Sequence, residues 1–139
     1  MISFSRIILI DDNEMDNVFH EVILRRSGFT GEVLAFEDAQ LALDYLQADE
    51  TRAPTLIFLD INMPRMDGFE FASKAEVLLQ HARSATTTTT IVMLSSSSAG
   101  PDKEKAAGIS AISGFIVKPL FEQQARELIS GNLDSARFK

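Results

Sequence analysis

The sequence has no cysteine among its 139 residues, and it has no apolar run long enough to cross a membrane. The absence of cysteine excludes disulfide bonds, thiolate metal sites and thiol redox chemistry. The first residues lack the basic head and long apolar centre of a signal peptide. We therefore expect a soluble, cytoplasmic protein.

Basic residues are also scarce. The chain has 13 lysine and arginine residues against 20 aspartate and glutamate residues, a formal net charge of -7. This charge disfavours nonspecific binding to nucleic acid or anionic membranes, because both are polyanions. It favours cationic partners, including metal ions. With 45% hydrophobic residues, the chain can form the core of one domain.

The sequence does contain a repeated alternation of apolar runs and amphipathic segments. We expect Gly28 to end the first helix, Asp38 and Asp67 to begin the second and third, and threonines 86–90 to form a polar loop. The apolar runs predict five strands, at residues 7–10, 31–36, 55–59, 91–94 and 114–117. Helical spacing predicts these core-facing residues: Met15, Val18, Phe19, Val22 and Ile23; Ala39, Ala42, Leu43 and Leu46; Phe71, Ala75, Leu78 and Leu79; Phe121, Ala125 and Leu128.

This alternation is typical of an α/β domain with a parallel sheet. Residues 102–107 predict a short charged helix between the last two strands. Right-handed crossovers then place helices on both faces, which makes the sheet doubly wound. Such sheets bind ligands beyond the carboxyl ends of their strands, where the strand order reverses.

Three carboxylates follow predicted strands. Asp11 and Asp12 come after the first strand and Asp60 after the third. Carboxylates this close repel one another unless a cation lies between them, and Mg²⁺ prefers such oxygen ligands. Helix capping by an acid at 11 or 12 is the alternative. Capping explains one acid, but it does not explain two acids together with Asp60.

A lysine and a serine end the last two predicted strands. Lys118 precedes Pro119, so it lies in a turn at the edge of the sheet. Alone it would be an ordinary surface lysine, but beside three acids it becomes a partner for a phosphate or carboxylate. Ser95 supplies a hydroxyl that can donate to an anionic oxygen.

Four motifs occur together: Asp11-Asp12 after the first strand, "LDINMPRMDG" after the third, "IVMLS" at the fourth and "GFIVKP" at the fifth. In this order and spacing, the chain resembles a response-regulator receiver domain of two-component signalling, of the stand-alone type. The resemblance implies a five-stranded flavodoxin-like sheet in the order 2-1-3-4-5. We expect one receiver domain over residues 1–139, with a short tail from about residue 131 and no output domain after it.

The resemblance also assigns roles to the site residues. Asp60 is the implied acceptor of a phosphoryl group from a sensor histidine kinase or a phosphotransfer protein. Lys118 and Ser95 are the implied partners of the phosphoryl oxygens. The implied cofactor is Mg²⁺, and its ligands would be Asp11, Asp12, Asp60 and the backbone carbonyl of Asn62.

A second group of residues would tune or transmit the reaction. Ser95 and Phe115 resemble the switch pair of the family, in which the hydroxyl moves to the phosphoryl group and the ring turns inward. Pro119 resembles a proline that usually follows a cis peptide bond. Three residues resemble positions that modulate phosphoryl lifetime: Glu14, Asn62 and Ser96. Two shape the loop after the third strand: Pro64 and Gly68.

In this family the output surface is usually the fourth helix, fifth strand and fifth helix, here about residues 100–133. We expect a downstream protein target there, onward transfer of the phosphoryl group as another route, and a weak homodimer as one assembly. The protein would catalyse only its own phosphorylation and dephosphorylation, so it would not be an enzyme acting on another substrate.

Three alternatives stay open. A haloacid-dehalogenase-like phosphohydrolase would need a second aspartate two residues after its nucleophile, where Asn62 stands. A pseudo-receiver would bind partners without phosphorylation. The chain would otherwise be a receiver excised from a larger hybrid kinase or regulator. His20 and His81 are unfavoured as phosphocarriers, because neither is expected beside the acidic residues.

Overall fold

The computed structural model describes residues 4–49, 53–81, 89–96 and 100–137. Within these residues, five strands alternate with five α-helices, and none of the helices is long and apolar enough to cross a membrane. The strands are β1 (Arg6–Ile10), β2 (Glu32–Phe36), β3 (Thr55–Asp60), β4 (Thr89–Ser95) and β5 (Ile112–Val117). The helices are α1 (Glu14–Arg26), α2 (Ala39–Ala48), α3 (Gly68–His81), α4 (Gly100–Ala107) and α5 (Glu122–Ile129), followed by a 3₁₀ helix (Asp134–Ala136).

The five strands form one parallel sheet in the order β2-β1-β3-β4-β5. This order confirms the doubly wound, flavodoxin-like sheet that the sequence predicted. The order reverses between β1 and β3, because the chain first builds outward to β2 and then continues on the other side. The carboxyl ends of β1 and β3 therefore meet where such sheets bind ligands.

The sheet is covered on both faces by separate hydrophobic clusters. On β3, Ile57 and Leu59 belong to one cluster, whereas Leu56 and Phe58 belong to the other, because successive side chains point to opposite faces. The first cluster includes residues of α2 and α3, and the second includes residues of α1 and α5. Each large apolar side chain removed from water contributes roughly 1.5–3 kcal/mol. This burial fixes the carboxyl end of β3.

Helix α1 is rotated relative to the prediction. Its buried residues are Asn17, His20 and Leu24, rather than the predicted apolar stripe. This rotation lets Asn17 Nδ2 donate a hydrogen bond to the carbonyl oxygen of Asp11, at 3.0 Å. The prediction that the apolar stripe faces the core was wrong for four residues, here called the apolar α1 surface: Met15, Val18, Phe19 and Val22, which are 70%, 51%, 44% and 48% exposed.

Several element ends also differ from the prediction. Strand β4 begins at Thr89, so the end of the threonine run is strand rather than loop, and residues 86–88 lie outside the described residues. Phe121 occupies the N-cap position of α5 and is 60% exposed, so the expectation that it packs in the core was wrong. The side chain of His81, at the end of α3, also lies outside the described residues.

The C-terminal segment after α5 is packed against the domain. Ala136 of the 3₁₀ helix is fully buried, and it lies directly over Gly114 of β5. A Cβ atom at position 114 would lie 2.7 Å from the Ala136 carbonyl oxygen and 2.8 Å from its Cβ. Only glycine leaves room for this contact.

The loop between β3 and α3 is fixed at both ends. Asp67 Oδ1 accepts a hydrogen bond from the Glu70 amide at 2.9 Å, which confirms the predicted cap of α3. The Gly68 amide donates to the carbonyl oxygen of Ile61 at 2.8 Å. A Cβ atom on Gly68 would overlap the carbonyl oxygen of Asp60 and lie 3.1 Å from Ile61 Cα. Gly68 therefore lets the helix start lie against the end of β3.

We expect Gly68→Ala to lower the free energy of unfolding by roughly 1–3 kcal/mol, because the added methyl group must displace backbone rather than a flexible side chain. Urea unfolding measures the change. The matched control is Gly108→Ala, where a Cβ atom would come no closer than 3.6 Å to its neighbours. Equal stability of the two variants would contradict the close approach at Gly68.

Candidate functional site

Three carboxylates meet at the carboxyl ends of β1 and β3. Ile10, the last residue of β1, is paired with Leu59, so the residues that follow each of them lie side by side. Asp11, Asp12 and Asp60 each offer a carboxylate oxygen, and these oxygens all lie within 4.8 Å of one another. The parallel register thus brings together the three acids that the sequence singled out.

Lys118 supplies the positive charge of the site. Its Nζ atom lies 2.6 Å from Asp11 Oδ2, 3.0 Å from Asp60 Oδ1 and 3.0 Å from Asp16 Oδ2. The backbone amide of Lys118 donates to the carbonyl oxygen of Ser95 at 2.7 Å, which fixes the turn after β5 to the end of β4. The peptide bond between Lys118 and Pro119 is cis, as the resemblance implied.

Burial and neighbouring charges shift the pKa values of two groups in this site. Burial raises the pKa of the Asp60 carboxyl, a hydrogen bond from Lys118 opposes that shift, and the negative charge of Asp11 adds to it. Burial alone would lower the pKa of the Lys118 ammonium, but hydrogen bonds to Asp11, Asp16 and Asp60 outweigh burial and raise it. Lys118 is therefore fully charged at neutral pH, beside a carboxyl group that is costly to ionise.

The acidic triad suits a hard divalent cation. Carboxylate oxygens are the ligands that Mg²⁺ prefers, and it usually keeps several waters as well. Asp11 and Asp60 are buried, whereas Asp12 is exposed, so the cluster is open to solvent on one side. Three carboxylates and one ammonium group leave net negative charge, which a bound cation would compensate. The residues present therefore fit a Mg²⁺ site of the receiver type.

The remaining predicted site residues differ in how far they are buried. Ser95 is fully buried at the end of β4, and Phe115 of β5 is 6% exposed and packs in the cluster with α2 and α3. Five others are exposed to solvent: Glu14, Asn62, Pro64, Ser96 and Pro119. Asn62 and Ser96 are therefore accessible to water, whereas Ser95 and Phe115 belong to the buried interior.

Sequence analysis missed two neighbours of the site. Asn17 is buried against the end of β1, and its Oδ1 atom has no hydrogen-bond partner among the described residues. Asp16 contacts Lys118, and its position one helical turn after Asp12 was the available signal. The buried face of α1 consists of Asn17, His20 and Leu24. The sequence analysis predicted the neighbouring stripe as the buried face instead, because that stripe is more apolar.

His20 is not placed to carry a phosphoryl group. It is 3% exposed, and burial lowers the pKa of its imidazole, with the nearby charge of Lys118 acting in the same direction. A buried, neutral imidazole is inaccessible to a phosphodonor. The expectation that His20 lies away from the acids was wrong, because it lines the same small pocket as Asp11 and Asp60. Its burial, and not its distance from the acids, argues against a phosphocarrier role.

We expect Asp60→Asn to raise the free energy of unfolding at neutral pH by about 1 kcal/mol, because it removes a buried like charge. The folded state raises the pKa of Asp60, so wild type loses stability as pH rises through that pKa. The gain should therefore shrink as the pH falls toward about 3, below the pKa of an unfolded aspartate, where Asp60 is mostly protonated in both states. Urea unfolding at both pH values tests this, and a gain independent of pH would contradict it. Asp44→Asn, at an exposed acid on α2, is the control.

Comparison with known proteins identifies one family for this chain. The response regulator receiver domain family matches residues 7–130. The probable methanogenesis regulatory protein FilR2 of Methanothrix harundinacea (strain 6Ac) is 31% identical over 124 residues, covering 86% of this chain and 76% of that protein.

Solved structures give the same result. A response regulator receiver protein from Dyadobacter fermentans DSM 18053 is 34% identical, with a TM-score of 0.77 over 89% of this chain and 94% of that one. The receiver domain of the Arabidopsis thaliana histidine kinase CKI1, complexed with Mg²⁺ and BeF₃⁻, has the same fold at 22% identity, with a TM-score of 0.67 over 90% of this chain and 85% of that one. This chain belongs to the response regulator receiver domain family of two-component signalling.

Proposed function

We propose that this receiver accepts a phosphoryl group on Asp60 from the phosphohistidine of a kinase or phosphotransfer protein, in a Mg²⁺-dependent reaction. The observation that carries the proposal is the site geometry. Asp60 lies within 4.8 Å of two further carboxylates, and its Oδ1 atom is 3.0 Å from Lys118 Nζ. Such a cluster can hold a divalent cation and an anionic group together.

The roles of the residues follow from the chemistry. One carboxylate oxygen of Asp60 attacks the phosphorus atom, the bond from phosphorus to the donor's imidazole nitrogen breaks, and the electron pair stays on that nitrogen. Lys118 faces Asp60 and stabilises negative charge on the transferring group. Mg²⁺, held by Asp11, Asp12, Asp60 and the Asn62 carbonyl, would supply further charge neutralisation when bound.

The signal would pass from the site into the core through β4 and β5. The Ser95 hydroxyl would turn to a phosphoryl oxygen, and Phe115 would fill the space beside it. Both residues are buried, and the Lys118 amide already connects the ends of these two strands. A changed surface over residues 100–133 would then bind a downstream protein, which agrees with the position of α4, β5 and α5 along one edge of the sheet.

Two alternatives are weaker. A phosphohydrolase would need an acid two residues after Asp60, but Asn62 is an exposed amide that cannot exchange a proton in this way. A pseudo-receiver would have no need of the full acidic triad and its lysine, and both are present. A receiver within a longer regulator or hybrid kinase would use the same site chemistry.

The phosphodonor protein would dock on the apolar α1 surface. Helix α1 begins directly after Asp12 and Asn13, so this surface borders the acidic cluster. Its four large apolar side chains are 44–70% exposed, and apolar patches beside polar sites are typical of protein interfaces. A donor bound there would bring its phosphohistidine to Asp60.

We expect the protein to gain one phosphoryl group when it is incubated with Mg²⁺ and acetyl phosphate, as measured by intact mass. The Asp60→Asn variant and a sample treated with a chelator should both stay unmodified. Labelling of Asp60→Asn would place the acceptor elsewhere. Absence of labelling in wild type with every kinase and small donor tested would favour the pseudo-receiver.

We expect Val18→Asp to slow phosphotransfer from a protein donor about tenfold or more, because it puts a charge into the centre of the apolar α1 surface. The donor is the kinase or phosphotransfer protein that charges wild type fastest in a purified panel. Val77→Asp, on α3, is the control, since Val18 and Val77 are 51% and 52% exposed. Labelling by acetyl phosphate should be unchanged in both variants. Equal slowing by the two substitutions would exclude α1 as the donor surface.

A further inference from the structure

Lys118 is surrounded by three carboxylates. Two of them belong to the metal-binding triad and the third does not. An ammonium group has three N–H donors. The three acids that face Nζ are Asp11 at 2.6 Å, Asp60 at 3.0 Å and Asp16 at 3.0 Å. Each of the three N–H donors of Lys118 therefore has a carboxylate partner. One of these partners, Asp16, is not a member of the metal-binding triad.

The three carboxylates differ in whether they would still interact with Lys118 after a cation binds and after Asp60 is phosphorylated. Both oxygens of Asp11 are already in use, because Oδ1 accepts from the Asn13 amide at 2.9 Å while Oδ2 faces Lys118. A cation held by Asp11 would compete with Lys118 for the same carboxylate. Asp60 would lose its negative charge when it becomes an acyl phosphate. Asp16 is the carboxylate among the three that neither event would alter.

Asp16 is held in place by the start of helix α1. Its backbone amide donates to the side chain of the N-cap residue Asn13, at 3.1 Å. Its side chain is 40% exposed, against 6% for Asp11 and 9% for Asp60, so it approaches Lys118 from the solvent side. The ordinary explanation for an acid in a first helical turn is a favourable interaction with the helix dipole. That interaction would not require contact with Lys118.

We propose that Asp16 is a positioning residue, which keeps the Lys118 ammonium directed at Asp60 when a divalent cation engages Asp11. This inference rests on the proposed phosphoacceptor function. It adds a residue of α1 to the reaction, through Lys118 rather than through contact with the reacting atoms. The consequence is that Lys118 stays ordered in the cation-bound protein, in which the phosphoryl group would arrive.

The first test is the chemical reactivity of Lys118. The rate at which a water-soluble acetylating reagent modifies Lys118 is measured by peptide mass spectrometry, with and without saturating Mg²⁺. Asp16→Asn should speed this modification about threefold or more over wild type in Mg²⁺, and less without Mg²⁺. Asp16→Glu should restore protection. The matched control is Glu21→Gln, which removes a charge from α1 at 44% exposure, away from Lys118.

The second test is the labelling rate with acetyl phosphate at saturating Mg²⁺. Asp16→Asn should lower it about tenfold relative to Glu21→Gln, because Lys118 is no longer positioned. If Asp16→Asn and Glu21→Gln give the same Lys118 reactivity in Mg²⁺, the proposal is overturned. A faster labelling rate in Asp16→Asn would also overturn it, because Asp16 would then compete with the phosphoryl group. If wild type takes up no phosphoryl group, the proposed function fails, and Lys118 reactivity still decides the role of Asp16.

Discussion

The site depends on holding like charges together at one edge of a sheet. Asp11, Asp16 and Asp60 all lie within about 3 Å of Lys118 Nζ, and Asp12 stands beside them. Repulsion among these acids costs free energy, and the buried apolar strands offset it because they fix the ends of β1, β3 and β5. The parallel sheet therefore does more than support the site. It holds the carboxylates in a charged arrangement that they would not adopt on a flexible loop.

That constraint also explains the orientation of α1. The helix starts at Glu14, with Asn13 as its N-cap, and it turns Asn17 and His20 toward the strand ends. Its apolar residues then remain outside, where they border the acidic cluster. A helix that buried its most apolar face would have moved Asp16 away from Lys118. The exposed apolar α1 surface and the contact of Asp16 with Lys118 are thus two results of one rotation.

The sequence predicted the fold and the triad because both depend on strand ends. Apolar runs located the strands, and the strand order that the family resemblance implied makes β1 and β3 neighbours, so that parallel pairing brings Asp11 and Asp60 together. The prediction for α1 was wrong, because the most apolar stripe of a helix is ordinarily the buried one. No local sequence signal indicates that α1 instead buries Asn17, which contacts Asp11. The prediction that Phe121 is buried was wrong for a related reason, because a residue at a helix N-cap does not follow the helical period. The position of Asp16 one helical turn after Asp12 was an available sequence signal, but its contact with Lys118 depends on that rotation.

The contact between Ala136 and Gly114 affects where the folded unit ends. Strand β5 is at the edge of the sheet and carries Phe115, and the chain after α5 covers it by placing Ala136 on Gly114. The family match stops at residue 130, so a fragment cut at that boundary would uncover the strand that carries Phe115. Recombinant versions intended for signalling assays should therefore extend through residue 137, the last residue of the described segment.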